Sequence, residues 1–476
     1  MRRPRHRPRP RGRRRRRGAG GRRAARGRRP DVRLLHGKIP GGGPAEDQRQ
    51  AVTDLGLAAR PAAPTSLTSY YYGWRIVAAA FAVLFTAYGA QYCFGVFFAA
   101  LLAEFHWSRT GLSGVFSVYA FTYCVSGFPA GRLTDRWGPR VVITTGGILL
   151  GGALAAMASV TALWQAYVVY GLVAALGMGT AYVPCNTTVV KWFAARRGLA
   201  SGIAGSGASA GTLVLPPLAQ LAVTGLGWRG AYLVGAALVF VVLVATAQVM
   251  RRDPESMGLQ PDGLPAPAGT AAATAGGLAL GAAIRTRAFW LLGFAFSATW
   301  IPVFVPLVHL VPFARDLGHS PLAAAAAISA TGAGAVLGRL AMGAVSDRAG
   351  RRPTIAAAMV LQAVAFLAFT VARDLPALYA TAVVFGFSYG TISTLFAAIV
   401  GDFFGREQAG SLVGFLFALA GSMAAWGTLG AGAIYDATGS YRPAFLLAAA
   451  LNVVALILLA ACRPPRLRYT PAAVTH

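Results

Sequence analysis

Charged residues are scarce in this chain of 476 residues, since Asp, Glu, Lys and Arg together make up 12% of it. An average soluble protein carries about 25% charged residues, because water-facing surface needs them. Yet the formal net charge is +29, and 56% of the residues are hydrophobic. Sixteen of the first thirty residues are Arg, so more than half of the excess charge lies at the N-terminal end. The low charged fraction excludes an ordinary soluble protein. The uneven distribution of the charge divides the chain into a polar tail and a very apolar body.

Lysine, cysteine and histidine are also rare, and each absence excludes a class of protein. The two lysines, Lys38 and Lys191, do not belong to the Gly-Lys-Ser/Thr end of a phosphate-binding loop, which excludes an ATP-driven pump in this chain. The four cysteines form no Cys-x-x-Cys pair, so neither a disulfide framework nor a zinc site is predicted. Of the six histidines, His309 alone falls within an apolar stretch, without an apparent catalytic partner. We therefore predict no metal, no cofactor and no enzyme activity.

Long apolar runs dominate the body from residue 75 onward. A helix of about 20 mainly apolar residues crosses a ~30 Å hydrocarbon core, and twelve such stretches follow one another in two groups of six. The predicted spans are 75–103, 110–131, 140–160, 164–190, 198–222, 229–249, 288–313, 321–345, 354–372, 376–401, 410–434 and 442–462. The predicted fold is an all-α integral membrane protein, with twelve transmembrane helices in two pseudo-symmetric six-helix bundles.

The polar segments around the spans define the remaining organisation. The predicted bundles are 71–250 and 287–462, joined by a flexible linker at 251–286 and followed by a tail at 463–476. Seventeen Arg and Lys residues fall in the loops and tail on the side of the termini, against five on the other side. By the positive-inside rule the linker and both termini are cytoplasmic, and the protein belongs in the cytoplasmic membrane.

The arginine-rich tail, residues 1–70, lacks apolar periodicity and is expected to be disordered. Three interpretations stay open for it: attraction to anionic lipid, nonspecific contact with RNA or DNA, and upstream sequence translated from a mis-chosen start, with the protein beginning nearer Tyr70. No specific nucleic-acid partner is expected. No apolar segment precedes Trp74, so a signal peptide is not predicted.

A ten-residue element recurs at a constant offset of 212 residues. It contains, at the ends of the second and eighth spans, Gly131, Asp135, Arg136, Gly138 and Arg140, and Gly343, Asp347, Arg348, Gly350 and Arg352. The segments 228–232 and 441–445, which open spans six and twelve, agree at nearly the same offset. Internal duplication is typical of secondary transporters, in which one half moves against the other around a central site. We predict that the element acts on this conformational switch; a topology anchor of solvated charge is the alternative.

The repeated ten-residue element and the two groups of six spans resemble the major facilitator superfamily over nearly all of residues 71–462. Tyr72-Gly73-Trp74 and the run 94–98 are similar to the first span of the monocarboxylate transporters and their oxalate–formate exchanger relatives, and the runs 191–211, 227–231 and 385–390 extend the likeness. The resemblance implies a secondary active transporter that moves a small organic anion, above all a monocarboxylate, by alternating access. An exporter or exchanger of another small metabolite or drug, and a transporter-like receptor, are the alternatives.

Arg339 is the one charged residue deep within a predicted span. It precedes Asp347 by eight residues, which at 1.5 Å per residue puts it about 12 Å inside the apolar core. Charge at that depth is a functional-site candidate, and a guanidinium suits a carboxylate. A structural arginine bonded to backbone carbonyls is the alternative. The resemblance also gives Arg339 the position of the span-eight substrate arginine of the monocarboxylate family.

Other positions depart from that family or add candidates to the site. Many animal members carry an acid where this chain has Ala335, and some carry a span-one lysine near the position of Tyr92. A single arginine favours a monoanion over a dicarboxylate, and it leaves a proton, the candidate co-substrate, without its usual acid carrier. The further substrate-binding candidates are polar residues of spans one, seven and ten: Tyr88, Gln91, Tyr92, His309, Tyr389 and Ser393. For those of spans one and seven, a purely structural role is the alternative.

Overall fold

The computed structural model describes residues 71–193, 196–263, 278, 280–405 and 409–465. Within these ranges the regular elements are helices, and no β-strand occurs. The expectations for the tail 1–70, and for most of the tail 463–476, concern residues outside the described ranges. Of the linker 251–286, the described parts contain only short helical turns, Glu255–Met257, Pro261–Gly263 and Leu280–Ala283.

Twelve long helices, α1 to α12, account for the apolar body within the described ranges. Their bounds are Tyr72–Phe105 (α1), Arg109–Trp137 (α2), Pro139–Met157 (α3), Leu163–Trp192 (α4), 197–226 (α5), 228–249 (α6), Arg287–Asp316 (α7), Pro321–Ala349 (α8), Arg351–Phe369 (α9), Leu375–Phe404 (α10), Ala409–Thr438 (α11) and Arg442–Ala461 (α12). Their order and number agree with the twelve predicted spans. The all-α membrane fold is thus confirmed.

The boundary between α5 and α6 depends on one glycine. The helical hydrogen bonding runs from Arg197 to Val249, but Gly227 has φ 70° and ψ 167°, which breaks the helix into two. A positive φ of this kind is accessible to glycine at little cost. Gly439 occupies the matching place between α11 and α12, with φ 69°.

Helix starts are specified locally by side-chain caps. Ser108 accepts a hydrogen bond from the Gly111 N–H at the start of α2, and Ser320 accepts one from the Ala323 N–H at the start of α8. Such caps satisfy N–H groups that have no partner within the helix. The two serines are again 212 residues apart, so the caps follow the internal repeat.

The helix surfaces that face away from the bundle are apolar. Val241, Leu340 and Ile457 are each 60% exposed or more, although they lie within long helices. An aqueous surface would not favour three aliphatic side chains in this way, whereas hydrocarbon does. Lengths and hydropathy of the helices agree with multiple crossings of a membrane.

The turns that join α2 to α3 and α8 to α9 show the repeat in three dimensions. Gly138 has φ 83° and its N–H donates to the Thr134 carbonyl; Gly350 has φ 89° and its N–H donates to the Ser346 carbonyl. We call the side of the bundle that carries these two turns the arginine-rich face. The side that carries the starts of α2 and α8 is called the opposite face.

Candidate functional site

A cavity of about 490 Å³ lies between the first six helices and the last six. Its walls come from α1, α2, α4 and α5 of the first half, and from α7, α8, α10 and α11 of the second. At one end the lining includes Arg132, Thr187 and Ser411, which are exposed and close to the arginine-rich face. The cavity is therefore accessible from that face.

Arg339 lines this cavity and a side pocket of about 10 Å³, which has room for about one water molecule. Its Nε atom is buried and makes no hydrogen bond, and no ion pair to Arg339 occurs within the described residues. Buried donors in folded proteins nearly always have an acceptor. An unpartnered guanidinium in a cavity is thus a site to which an anion can bind.

Tyrosines surround the Arg339 side chain. The Tyr92 hydroxyl lies 3.1 Å from the Tyr389 hydroxyl, and this hydrogen bond joins α1 of one half to α10 of the other. On the neighbouring turn the Tyr88 and Tyr123 hydroxyls are 2.6 Å apart. Tyr88, Tyr92 and Tyr389 line the same side pocket as Arg339, so three of the predicted residues are brought to it.

Two further predicted residues, Gln91 and Ser393, line the main cavity. Gln91 is buried, and its Oε1 atom accepts a long hydrogen bond of 3.4 Å from the Tyr119 hydroxyl. Ala335 also lines the side pocket, next to Tyr92. No Asp, Glu, Lys or His is among the residues that line either space.

His309 lies elsewhere, in a fully buried position towards the opposite face. Its Nδ1 is 3.0 Å from the Tyr441 hydroxyl and its Nε2 is 3.1 Å from the Thr428 carbonyl. A carbonyl oxygen can only accept a hydrogen bond, so the Nε2–H group donates to it. The Nδ1 atom then accepts a hydrogen bond from the Tyr441 hydroxyl. Burial raises the pKa of the Tyr441 hydroxyl well above its ordinary value, so this proton stays in place. The structure thus puts His309 in a polar contact between helices, outside the cavity lining.

The halves are joined near the opposite face by a group of polar residues that we call the closed-end cluster: Arg109, His309, Asp316, Asp436 and Tyr441. The Arg109 guanidinium contacts both Asp316 oxygens, at 2.7 and 2.8 Å, and donates to the Tyr441 hydroxyl at 2.8 Å. Asp436, at the end of α11, accepts from the Arg109 and Thr110 N–H groups and so caps α2 of the other half. These bonds close the space between the halves at this end.

Backbones of the two halves also approach closely at two glycines, Gly332 beside the side pocket and Gly95 beside the closed-end cluster. A Cβ atom on Gly332 of α8 would lie 2.5 Å from the Leu213 nitrogen of α5, and one on Gly95 of α1 would lie 3.0 Å from the Val308 carbonyl oxygen of α7. Glycine permits such contact because it has no side chain. The two halves are therefore in direct contact towards the opposite face, while the cavity separates them towards the arginine-rich face.

The repeated ten-residue element forms ion pairs that each stay within one half. Asp135 pairs with Lys191 of α4 at 3.0 Å, and Arg351 bridges Asp347 and Asp402 at 3.5 and 2.7 Å. Arg140 donates to the Gln248 side chain on α6, and Arg352 donates to the Ala460 carbonyl on α12, again 212 residues further on. The other residues of the repeated element differ in burial. Gly131 lines the cavity and Gly343 is half-buried, while Arg136 and Arg348 are exposed.

Four further aromatic residues of the cavity were not predicted from the sequence. Tyr123, Tyr182, Trp300 and Phe417 all line it, and the Tyr182 and Phe417 rings stack across the two halves with centroids 6.1 Å apart. Intramembrane charge was the criterion that found Arg339, and aromatic residues are common throughout membrane helices. The pairing of Tyr182 with Phe417 requires knowledge of which helices meet. No group of three or more His, Cys, Asp or Glu residues suited to a metal occurs in the described part of the chain.

The sequence matches a known family model. The model described as Major Facilitator Superfamily matches residues 80–313 and 292–475. The chain is 30% identical to "Monocarboxylate transporter 13" of Rattus norvegicus over 386 residues, covering 80% of this chain and 86% of the relative. It is 31% identical to "Monocarboxylate transporter 11" of Homo sapiens over 397 residues, covering 80% of each.

Solved structures share the fold. A bacterial homolog of the human lysosomal transporter Spinster, solved in an inward-facing and occupied conformation, matches with a TM-score of 0.65 and 15% identity, over 85% of this chain and 100% of that one. The nucleoside transporter NupG matches with a TM-score of 0.64 and 14% identity, over 82% of this chain and 99% of that one. At these identities the likeness concerns the fold alone.

Proposed function

Because the chain belongs to the major facilitator superfamily, in its monocarboxylate-transporter-like branch, we propose that it carries a small organic monoanion, a monocarboxylate, by alternating access. It is a multi-pass membrane transporter and not an enzyme. The names of the relatives support a monocarboxylate, and the chemistry of the cavity supports a single negative charge.

The unpartnered Arg339 guanidinium carries the proposal. It is the one cationic side chain deep in the cavity, and no carboxylate of the described residues neutralises it. A carboxylate on the substrate would supply the missing charge and accept from two guanidinium N–H groups at once. The Tyr92 and Tyr389 hydroxyls are hydrogen-bonded to each other, and as a pair they would donate one further hydrogen bond that orients the anion.

Alternating access is supported by the unequal ends of the molecule. Ion pairs and backbone contacts join the halves at the opposite face, whereas at the arginine-rich face the ion pairs of the repeated element, among the described residues, stay within a half. We assign the arginine-rich face to the cytoplasm by the positive-inside rule, with both termini on that side and the protein in the cytoplasmic membrane. The structure then represents an inward-facing state, and opening of the closed-end cluster would expose Arg339 to the outside.

The test is counterflow in proteoliposomes. Vesicles that contain the full chain are loaded with unlabelled pyruvate, and the transient accumulation of external labelled lactate or pyruvate is followed. We expect accumulation with the wild-type protein and none with Arg339→Ala at normal membrane levels. Arg373→Ala, which removes an exposed arginine from the α9–α10 turn, is the matched control and should transport normally.

Each outcome separates the alternatives. Unchanged uptake by Arg339→Ala would mean that the arginine is structural. Binding of a monocarboxylate without flux would indicate a transporter-like receptor. Flux of a neutral or cationic compound, with no carboxylate transported, would indicate an exporter or exchanger of another metabolite or drug.

A further inference from the structure

The cavity is large for a three-carbon acid. At about 490 Å³ it falls within the ~300–1,000 Å³ range of pockets that bury drug-sized ligands. A lactate or pyruvate bound at Arg339 would contact the side pocket and leave most of this space filled with water. The volume therefore indicates a substrate whose remaining part, beyond the carboxylate, is larger than that of lactate or pyruvate.

The wall beyond Arg339 is aromatic and continuous. It starts at Tyr88 beside the arginine and continues through Tyr182, Phe417, Trp300 and Phe396, all of which line the cavity. Successive ring centroids along this path lie 6.2, 6.1, 5.3 and 5.9 Å apart. We call these five residues the aromatic wall. Ring faces and edges at such spacing favour a flat aromatic guest over a small hydrated one.

Both halves of the protein contribute to the aromatic wall. Tyr182 belongs to α4 of the first half and Phe417 to α11 of the second, and their rings are nearly parallel, with an interplanar angle of 6°. A ligand ring that packs on both residues would hold the halves together, as a transported substrate must when the cavity closes around it.

Among the residues that line the cavity, the buried polar atoms without a hydrogen bond are donors. They are Arg339 Nε at one end of the aromatic wall and Trp300 Nε1 towards the other, and both are buried without a hydrogen bond within the described residues. No acidic side chain lines the cavity. The lining thus offers no carboxylate to pair with an ammonium, which argues against an amino acid, and its buried donors match a ligand that carries acceptor oxygens.

We propose that the substrate is an aryl-substituted monocarboxylate, with its carboxylate on Arg339 and its ring against the aromatic wall. This inference rests on the proposed function, because it assumes that Arg339 binds the carboxylate of a transported anion. It adds the requirement that the body of the anion be aromatic. Phenylacetate and 3-phenylpropionate are the simplest compounds with this chemistry.

The first experiment compares substrates on the wild-type protein. Counterflow of labelled 3-phenylpropionate, phenylacetate, cyclohexylacetate and lactate is measured at pH 7.5, and the signal of protein-free liposomes is subtracted. We expect a KM at least tenfold lower for the aryl acids than for lactate, and lower for phenylacetate than for cyclohexylacetate. Equal or better transport of lactate would overturn this inference and leave the proposed function intact. Transport of none of the four would overturn the proposed function.

The second experiment tests the aromatic wall itself. Phe417→Leu should lower the ratio of 3-phenylpropionate to lactate transport at least fivefold, whereas Phe417→Tyr, which keeps the ring, should preserve it. Phe415→Leu is the matched control two residues away, because Phe415 packs on Phe289 and does not line the cavity. An unchanged ratio in a Phe417→Leu protein that reaches the membrane would show that the wall is structural and would overturn the inference.

Discussion

The Arg109 guanidinium of α2 and the Asp316 carboxylate of α7 form a two-point ion pair across the two halves, with N–O distances of 2.7 and 2.8 Å. Their side chains are 15% and 33% exposed, so the pair is largely shielded from water. It is joined to buried His309 through the Tyr441 hydroxyl. The contacts thus connect the Arg109–Asp316 ion pair near the surface with His309, which is buried between helices deeper in the closed end.

Loss of this ion pair is expected to open the closed end. Asp316→Asn removes the charge that holds Arg109, which destabilises the observed state relative to one open at the opposite face. Ser117 offers a reporter position, since it is buried and its hydroxyl donates to the Ala425 carbonyl between α2 and α11. The reporter background carries Cys124→Ala and Ser117→Cys, and an impermeant maleimide is added at the opposite face. In this background the thiol at position 117 should react about tenfold faster with Asp316→Asn than with Asp316, which corresponds to a shift of ~1.4 kcal/mol between the two states.

The matched control for that experiment is Glu104→Gln. Glu104 pairs with Arg229 at 3.0 Å, and both residues belong to the first half. Its loss should leave the labelling rate unchanged. Equal acceleration by both variants would mean that the effect is general loosening and that the Arg109 pair has no special role in closure.

Replacement of Arg339 by lysine tests what kind of contact the anion makes. Lysine keeps the charge but offers a point charge instead of a planar fork. If a carboxylate binds two N–H groups, Arg339→Lys should transport with a KM raised about tenfold or more, and Arg339→Ala should not transport at all. A lysine variant with the wild-type KM would exclude two-point binding. Counterflow at several substrate concentrations gives the KM.

The hydrogen bond between Tyr92 and Tyr389 predicts a non-additive pair of mutations. Each Tyr→Phe change removes the same 3.1 Å contact, so each alone should raise the KM about two- to tenfold, in line with ~0.5–1.5 kcal/mol for one hydrogen bond. The double variant should then be little worse than either single variant. Full additivity would indicate that the two hydroxyls contact the substrate independently. Kinetics of the three variants, side by side, decide between these outcomes.

Asp135 and Asp347 are expected to affect the rate of the conformational change more than binding. Their ion pairs are partly exposed, and pairs of this kind contribute ~0.2–1 kcal/mol. Asp135→Asn or Asp347→Asn should therefore slow flux about two- to fivefold, while substrate still raises the melting temperature of the protein as in wild type. Asp253→Asn, which affects a pair in the linker, is the control. Loss of the substrate-induced thermal shift would place these acids in binding instead.

The parts of the fold that were predictable from sequence depend on local interactions. The repeated element with Gly138 and Gly350 was predicted at the ends of the second and eighth spans, and in the structure both glycines have the positive φ of a tight turn. Arg339 was found because a charge is costly in hydrocarbon wherever the helix packs. By contrast, Arg109 and Asp316 are 207 residues apart, and Tyr92 and Tyr389 are 297 apart. Neither pair has a local signal, because the contact exists only when α2 meets α7 and α1 meets α10.

The absence of an acid in the cavity lining predicts that transport moves net charge. No Asp, Glu or His among the lining residues can take up a proton with the anion, and the charge of Arg339 stays on the protein. Net uptake of a monocarboxylate should then be driven by a membrane potential that is positive inside. One charge crossing 100 mV corresponds to ~2.3 kcal/mol, or roughly fiftyfold accumulation at equilibrium. Potassium diffusion potentials set with valinomycin, at equal pH on both sides, provide the measurement. Uptake that is independent of the membrane potential and is driven by an inward proton gradient would contradict the prediction. It would indicate that a proton is the co-substrate.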